Sequence, residues 1–112
     1  MKLNSLSQKM IGDNSYEMAI LDYTRAIALD STFAYAWYNR AAAKIALNEF
    51  YSAILDLRKA ISCDSTFGEA YFNKSLLHIL LHENENACPD LSKAGELGVL
   101  EAYAVIKRYC DK

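Results

Sequence analysis

The sequence predicts an all-α solenoid of three antiparallel helix pairs with a C-terminal capping helix. Three observations predict it: a 34-residue internal repeat, abundant alanine, and apolar residues recurring at helical spacing. With four Gly and one Pro, the chain has too few turn formers for an all-β sandwich. At 112 residues, 53% apolar and 23% charged, it has room for one packed domain and is not a disordered tail.

The repeat is legible without gaps. Asp30-Ser31-Thr32-Phe33 returns as Asp64-Ser65-Thr66-Phe67, and the same offset of 34 links Ala19, Ala53 and Ala87, then Ala26, Ala60 and Ala94. It also links Asp22, Asp56 and Asp90, and the larger residues Tyr23, Leu57 and Leu91. The first copy (1–33) reads as a helix pair with a truncated opening helix. In the second copy (34–67), Ala34 to Leu47 is rich in helix formers, Asn48-Glu49 is a break, and Phe50 to Cys63 follows. Asp64-Ser65-Thr66 offers cap chemistry for the next helix, as Asp30-Ser31-Thr32 does one repeat earlier.

The third copy (68–98) has Gly68 to His82 as its first helix. Proline fits a first turn and breaks an interior, so Pro89 predicts a second helix that starts late, near Asn86, and runs to Leu97. The cap occupies 99–112. Gly98 supplies the turn into Leu100–Cys110, with Leu100, Ala102, Tyr103, Ile106 and Tyr109 expected inside and Glu101, Lys107 and Arg108 outside.

Trp37 at the fourth position of the copy, Ala41 at the eighth, Ala53 at the twentieth and Ala60 at the twenty-seventh resemble the tetratricopeptide repeat. Tyr71, Ser75, Ala87 and Ala94 match in the third copy; Leu3, Ser7, Ala19 and Ala26 match in the first. The resemblance covers about residues 3–98 and implies a superhelix of the tetratricopeptide type. Ser31 and Ser65 stand where the family usually has proline, and Gly95 where it has an apolar residue, which implies looser inter-repeat turns. The physics of the pattern is independent of the likeness: small residues let helix backbones approach, and stacking buries faces that one pair leaves open. The ending from Ala87 to Cys110 is similar to closing segments of bacterial, Bacteroidetes-like repeat proteins and, more loosely, to Sel1-type repeats.

The resemblance implies a concave groove lined by the first helices, and with it a module that binds a protein or peptide. Its positions are Asn4, Ser5, Gln8, Ile11 and Gly12 in the first copy. In the second they are Tyr35, Tyr38, Asn39, Ala42, Ile45 and Ala46; in the third, Glu69, Phe72, Asn73, Leu76, Ile79 and Leu80. Tyr38 and Phe72 are expected side by side, either facing a ligand or packing on flanking helices, and Asn39 and Asn73 as a row of amides. The cationic clamp that some family members use for a C-terminal carboxylate is not matched. Asn39 fits it, but Asn4, Gln8, Glu69 and Asn73 replace the rest, and Glu69 repels a carboxylate.

Cys88 and Cys110 lie eleven residues either side of Val99, in the turn between two antiparallel helices. They are a candidate disulfide in an oxidising compartment, the alternative being two unrelated core thiols. Cys63 reads as ordinary burial. His78 and His82 share a helix face, yet no third ligand has a compelling spacing, so no metal or cofactor is expected. No phosphate loop, nucleophile elbow or isolated carboxylate pair is present, which points away from an enzyme.

A formal charge of -2, with 12 Lys and Arg against 14 Asp and Glu, argues against nucleic acid as partner. No apolar run reaches the roughly 18–20 residues of a membrane span. The compartment stays open: cytoplasmic for a complete chain, periplasmic or exported for a trimmed one. Alongside the binding module, the sequence admits a structural fragment of a longer array, or a homodimer.

Overall fold

The structure, a computed structural model, describes residues 2–110, with side chains described from residue 15 onward. Six helices follow in order: α1 (Lys2–Leu29), α2 (Ala34–Ala46), α3 (Phe50–Cys63), α4 (Gly68–Leu80), α5 (Asn84–Glu96) and α6 (Glu101–Tyr109). Each packs mainly on the next in sequence, the arrangement of a solenoid. The radius of gyration is 15.6 Å, above the value of about 13 Å expected of a globular chain this size, so the stack is elongated.

The small residues decide where helices touch. Ala41 on α2 meets Ala53 and Ala60 on α3, all fully buried, with Leu57 filling the space between. In the next pair Ala87 and Ala94 are likewise fully buried around Leu91, with Ala102 of α6 closing the layer. A methyl group in place of a longer side chain lets two backbones approach, and the larger neighbours then fill the layer at close to crystal density.

A second device recurs at the same offset. Arg40 grips Asp56 through Nε and Nη2, each 2.8 Å from a carboxylate oxygen, and Lys44 adds a third contact at 2.9 Å. One repeat later, Lys74 lies 2.6 Å from Asp90. These pairs tie α2 to α3 and α4 to α5 with little exposure on either side.

The first copy departs from the expected helix pair: α1 is one continuous helix from Lys2 to Leu29. Asn14 stands at the position of Asn48 and His82, both of which close their turns in the left-handed region at φ 63. The sequence position of the Arg40 and Lys74 cations is Leu6 in this copy, so Asp22 has no cation there to tie it. It pairs instead with Arg25 three residues on, exposed at 75% and 69%. With that tie missing, an unbroken helix keeps its backbone hydrogen bonds at less cost than a turn. In consequence Ala19 and Ala26 are only half-buried, whereas their counterparts in α3 and α5 are fully buried.

Three finer expectations are corrected. The Asp-Ser-Thr segments do not cap the following helices: Phe33 and Phe67 hold the cap positions, with no side-chain cap bond. Asp30 and Asp64 sit three residues before the cap positions, and each accepts from its own turn, from Thr32 or Thr66 N–H at 3.0 Å and hydroxyl at 2.6 Å. The helix α5 does not wait for Pro89. It begins at Asn84, in register with Phe50 of α3, because burial of Ala87, Leu91 and Ala94 outweighs one lost backbone bond on an exposed face. In α6, Leu100 precedes the helix and is 70% exposed, while Val105 joins Ala102 and Ile106 on the packed side. Gly98 makes the turn into α6 at φ 101.

Candidate functional site

The expected groove positions of the first copy, Asn4, Ser5, Gln8, Ile11 and Gly12, lie outside the described side chains. Of those in α2 and α4, Ala42, Ile45, Asn73 and Leu76 share one face, whereas Phe72 and Ile79 pack against the Ala87–Leu91 cluster. Ala42, Asn73 and Leu76 come together with Ile45 and Leu77 around a hollow of about 280 Å³ between the two helices. Leu76 and Leu80 remain exposed on α4, as does Glu69 one turn before Asn73. Asn39 is half-buried on α2.

The tyrosines are organised by a residue that the spacing did not single out. Phe67, the cap residue of α4, stacks against Tyr38 at 4.7 Å between ring centroids and against Tyr35 at 5.1 Å. Tyr35 keeps 60% of its surface in solvent, so its outer face is available to a ligand. For Phe72 the packing alternative holds: it is half-buried against the Ala87–Leu91 cluster. Phe67 recurs as Phe33 in the repeat, and that recurrence with Tyr35 and Tyr38 one helix earlier was the available signal.

The amide row is also modified. Asn73 donates from Nδ2 to the Tyr38 hydroxyl at 2.9 Å, partly buried, and so locks α4 to α2. Burial, with the Glu69 carboxylate adding to it, pushes the Tyr38 phenol above its ordinary value despite the Asn73 bond. The phenol therefore stays neutral at ordinary pH and keeps its own O–H to donate. A ligand on this face meets an apolar floor, a fixed amide and phenol, and a carboxylate at one edge.

Behind the face, the fourth-position aromatics sit in equivalent places. Trp37 Nε1 donates to the Ser31 carbonyl at 2.9 Å, and Tyr71 Oη donates to the Ser65 carbonyl at 3.2 Å. Each ring is thereby pinned to the turn that precedes its own helix, and these contacts occupy the Ser positions where the family more often carries proline.

The cysteines and histidines lie elsewhere. Cys88 on α5 and Cys110 after α6 are joined in a disulfide, with Cα atoms 5.8 Å apart. His78 is buried and its Nδ1 lies 2.9 Å from Glu83, which fixes the α4–α5 turn. His82 is exposed in the turn itself. Among the described residues, no three His, Cys, Asp or Glu side chains converge as metal ligands, and no helix is long and apolar enough to cross a membrane.

A tetratricopeptide-repeat family model matches residues 34–67. Among curated proteins, none matches the sequence. Among solved structures, a crystal structure of MamA is 26% identical over 75% of this chain, with a TM-score of 0.71; this chain spans half the length of that one. The second tetratricopeptide domain of human RPAP3, solved with the HSP70 peptide SGPTIEEVD, is 25% identical. The match covers 97% of this chain and 92% of that one, with a TM-score of 0.79. The TPR2B domain of yeast Sti1, solved as a pHsp70 complex, is 29% identical over 93% of this chain and 83% of its own, with a TM-score of 0.73. The repeat period, the buried alanines at fixed places in each helix pair and these likenesses agree: residues 34–67 match the tetratricopeptide repeat, and the helices are arranged as in tetratricopeptide-repeat domains.

Proposed function

We propose that the chain is a non-enzymatic binding module that holds a peptide or protein segment on the face shared by α2 and α4. The observation that carries this reading is the hollow between Ala42, Ile45, Asn73, Leu76 and Leu77, with Tyr35 and Leu80 exposed on the same two helices. Apolar side chains of a partner fill such a hollow, and Asn39, together with the part of the Asn73 amide that its bond to Tyr38 does not use, pairs with its backbone. Domains of the same fold are solved with peptides, those of HSP70 among them.

The ligand class differs from an acidic C-terminus. The face carries Glu69 and none of the cations that a terminal carboxylate needs, so it favours a neutral or basic segment with apolar anchors. A random-peptide display selection against the folded chain tests the reading. Selected peptides should be rich in apolar residues and should lose binding to Leu76→Glu and Ala42→Glu. Peptides that bind both variants as well as the native chain contradict it.

A second reading, self-association or stacking within a longer array, is favoured by α1. Ala19 and Ala26 are half-open where their counterparts are sealed, and Tyr16, Met18 and Leu21 are exposed on the same helix. Sedimentation across concentration separates the readings, because a dimer built on α1 dissociates on dilution and on Met18→Glu.

A further inference from the structure

A second hollow on the described surface lies between α2 and α3. It measures about 580 Å³, is floored by Trp37, Arg40 and Lys44 of α2, and is walled by Leu55, Arg58 and Lys59 of α3. Thr24 of α1 accepts a hydrogen bond from Arg40 at 3.1 Å.

Charge sets this groove apart. A chain with formal charge -2 gathers four of its twelve Lys and Arg side chains here against the single carboxylate of Asp56. Asp56 is already taken, by Arg40 on both oxygens and by Lys44. Arg58 and Lys59 are exposed and form no ion pair among the described residues. The groove therefore keeps two uncommitted cations beside a cation-rich floor.

Its apolar element is held still. The indole of Trp37 is fixed by its bond to Ser31, with the Arg40 guanidinium 5.1 Å from the ring centroid on one side and Lys59 Nζ at 5.9 Å. Leu55 stands 59% exposed on the α3 wall. Cations on and around a fixed ring, beside an exposed aliphatic residue, recognise carboxylates next to an apolar side chain.

We propose that this groove binds an acidic peptide segment, with Arg58 and Lys59 pairing its carboxylates and Trp37 and Leu55 receiving an aliphatic side chain between them. A nucleic acid fits less well. Tracking a phosphate backbone needs cations along a path, and here they are confined to one hollow of a net-acidic chain. The site is separate from the α2–α4 face and opposite to it in charge preference.

Trp37 is the only tryptophan in the chain, so its fluorescence reports on the site directly. The probe is the capped peptide Glu-Glu-Leu-Glu-Glu, titrated into the full chain at low salt. Its binding should shift or quench Trp37 emission saturably, and should weaken steeply as salt shortens the screening length to about 3 Å at 1 M. The double variant Arg58→Glu with Lys59→Glu, both on the exposed side of α3, should bind about tenfold or more weakly while keeping the native circular dichroism. Leu76→Glu should bind the probe like the native chain, which separates this site from the α2–α4 face. The proposal is overturned if Trp37 does not respond, or if Gln-Gln-Leu-Gln-Gln binds as well. It is equally overturned if the charge-reversed variant binds normally, or if an oligonucleotide of equal charge binds more tightly than the peptide.

Discussion

Asn73 and Tyr38 are 35 residues apart in sequence and share a 2.9 Å hydrogen bond across the α2–α4 face. The bond turns one member of an expected amide row into a strut that sets the spacing of the two helices. It leaves Asn39 as the amide with more freedom to meet a ligand. Tyr38→Phe removes the acceptor and leaves the partly buried Asn73 amide unpaired, at a cost of about 1–2 kcal/mol by denaturant unfolding. Asn73→Ala should cost a similar amount, and the double variant less than the sum, because one bond is lost in all three cases. Additive losses would show that the two side chains act independently.

Asp56 is nearly inaccessible and holds two cations, so Asp56→Ala leaves Arg40 and Lys44 largely buried without a counter-charge. Urea melts should show a loss of about 3 kcal/mol or more. Asp22→Ala, at the same repeat position but paired among the described residues only with exposed Arg25, should fall within about 0.5 kcal/mol of the native chain. Equal effects at the two sites would mean that the ion pair between α2 and α3 carries no special weight.

Gly95 is buried beneath the ring of Tyr103, and a Cβ there would lie 2.8 Å from Cζ. Gly95→Ala gains helix propensity but displaces the ring of α6 from its seat. The two positions should therefore be coupled: Gly95→Ala is expected to stabilise a Tyr103→Ala background by about 1 kcal/mol and to lose that gain in the native background. Thermal melts of the four proteins decide it, and identical shifts in both backgrounds would refute the seat.

The Cys88–Cys110 bridge closes a segment of 22 residues and ties α6 to α5. In the chain-entropy account a loop of this length is worth about 3 kcal/mol. Thiol reductant should lower the melting temperature of the native chain by roughly 10 °C or more. It should leave a Cys88→Ser, Cys110→Ser variant unmoved. A native chain that melts alike with and without reductant would show that the bridge contributes nothing to stability.

Asp30 and Asp64 have acid titrations held below the ordinary value of 3.8, first by the Thr32 and Thr66 hydroxyls and then by the backbone N–H of the same residues. A carboxyl whose folded pKa lies below its unfolded one binds fewer protons when folded. Its contribution is full above the unfolded value and is lost as pH falls through the folded one. As pH falls through and below the ordinary value of 3.8, the Asp30→Asn, Asp64→Asn variant should lose less stability than the native chain. A parallel loss in both would place the acid sensitivity elsewhere.

The 34-residue offset carried α2 to α5 because small and large positions recur together, and burial enforces that recurrence wherever two helices actually meet. The same reasoning misplaced the first copy. Its register continues through Ala19 and Ala26, but the tie that closes the pair depends on one residue, and Leu6 stands where Arg40 and Lys74 do. Pro89 misled in the opposite direction, since a local backbone preference gave way to the buried layer of Ala87, Leu91 and Ala94. Gly95 read as a looseness in the turn and is a seat for Tyr103, a contact between elements that no periodicity announces. On the candidate site, Tyr35, Ala42 and Leu76 were legible as surface positions of repeated helices. The stacking of Phe67 on both tyrosines was not, because a cap residue belongs to no helical stripe.

The α2–α4 face is tested most directly by amide chemical shifts of the chain titrated with a display-selected peptide. Shifts concentrated at Tyr35, Asn39, Ala42, Asn73 and Leu76, and abolished by Leu76→Glu, are the result expected. Shifts spread along α1 or α6 with those five residues unmoved would contradict it.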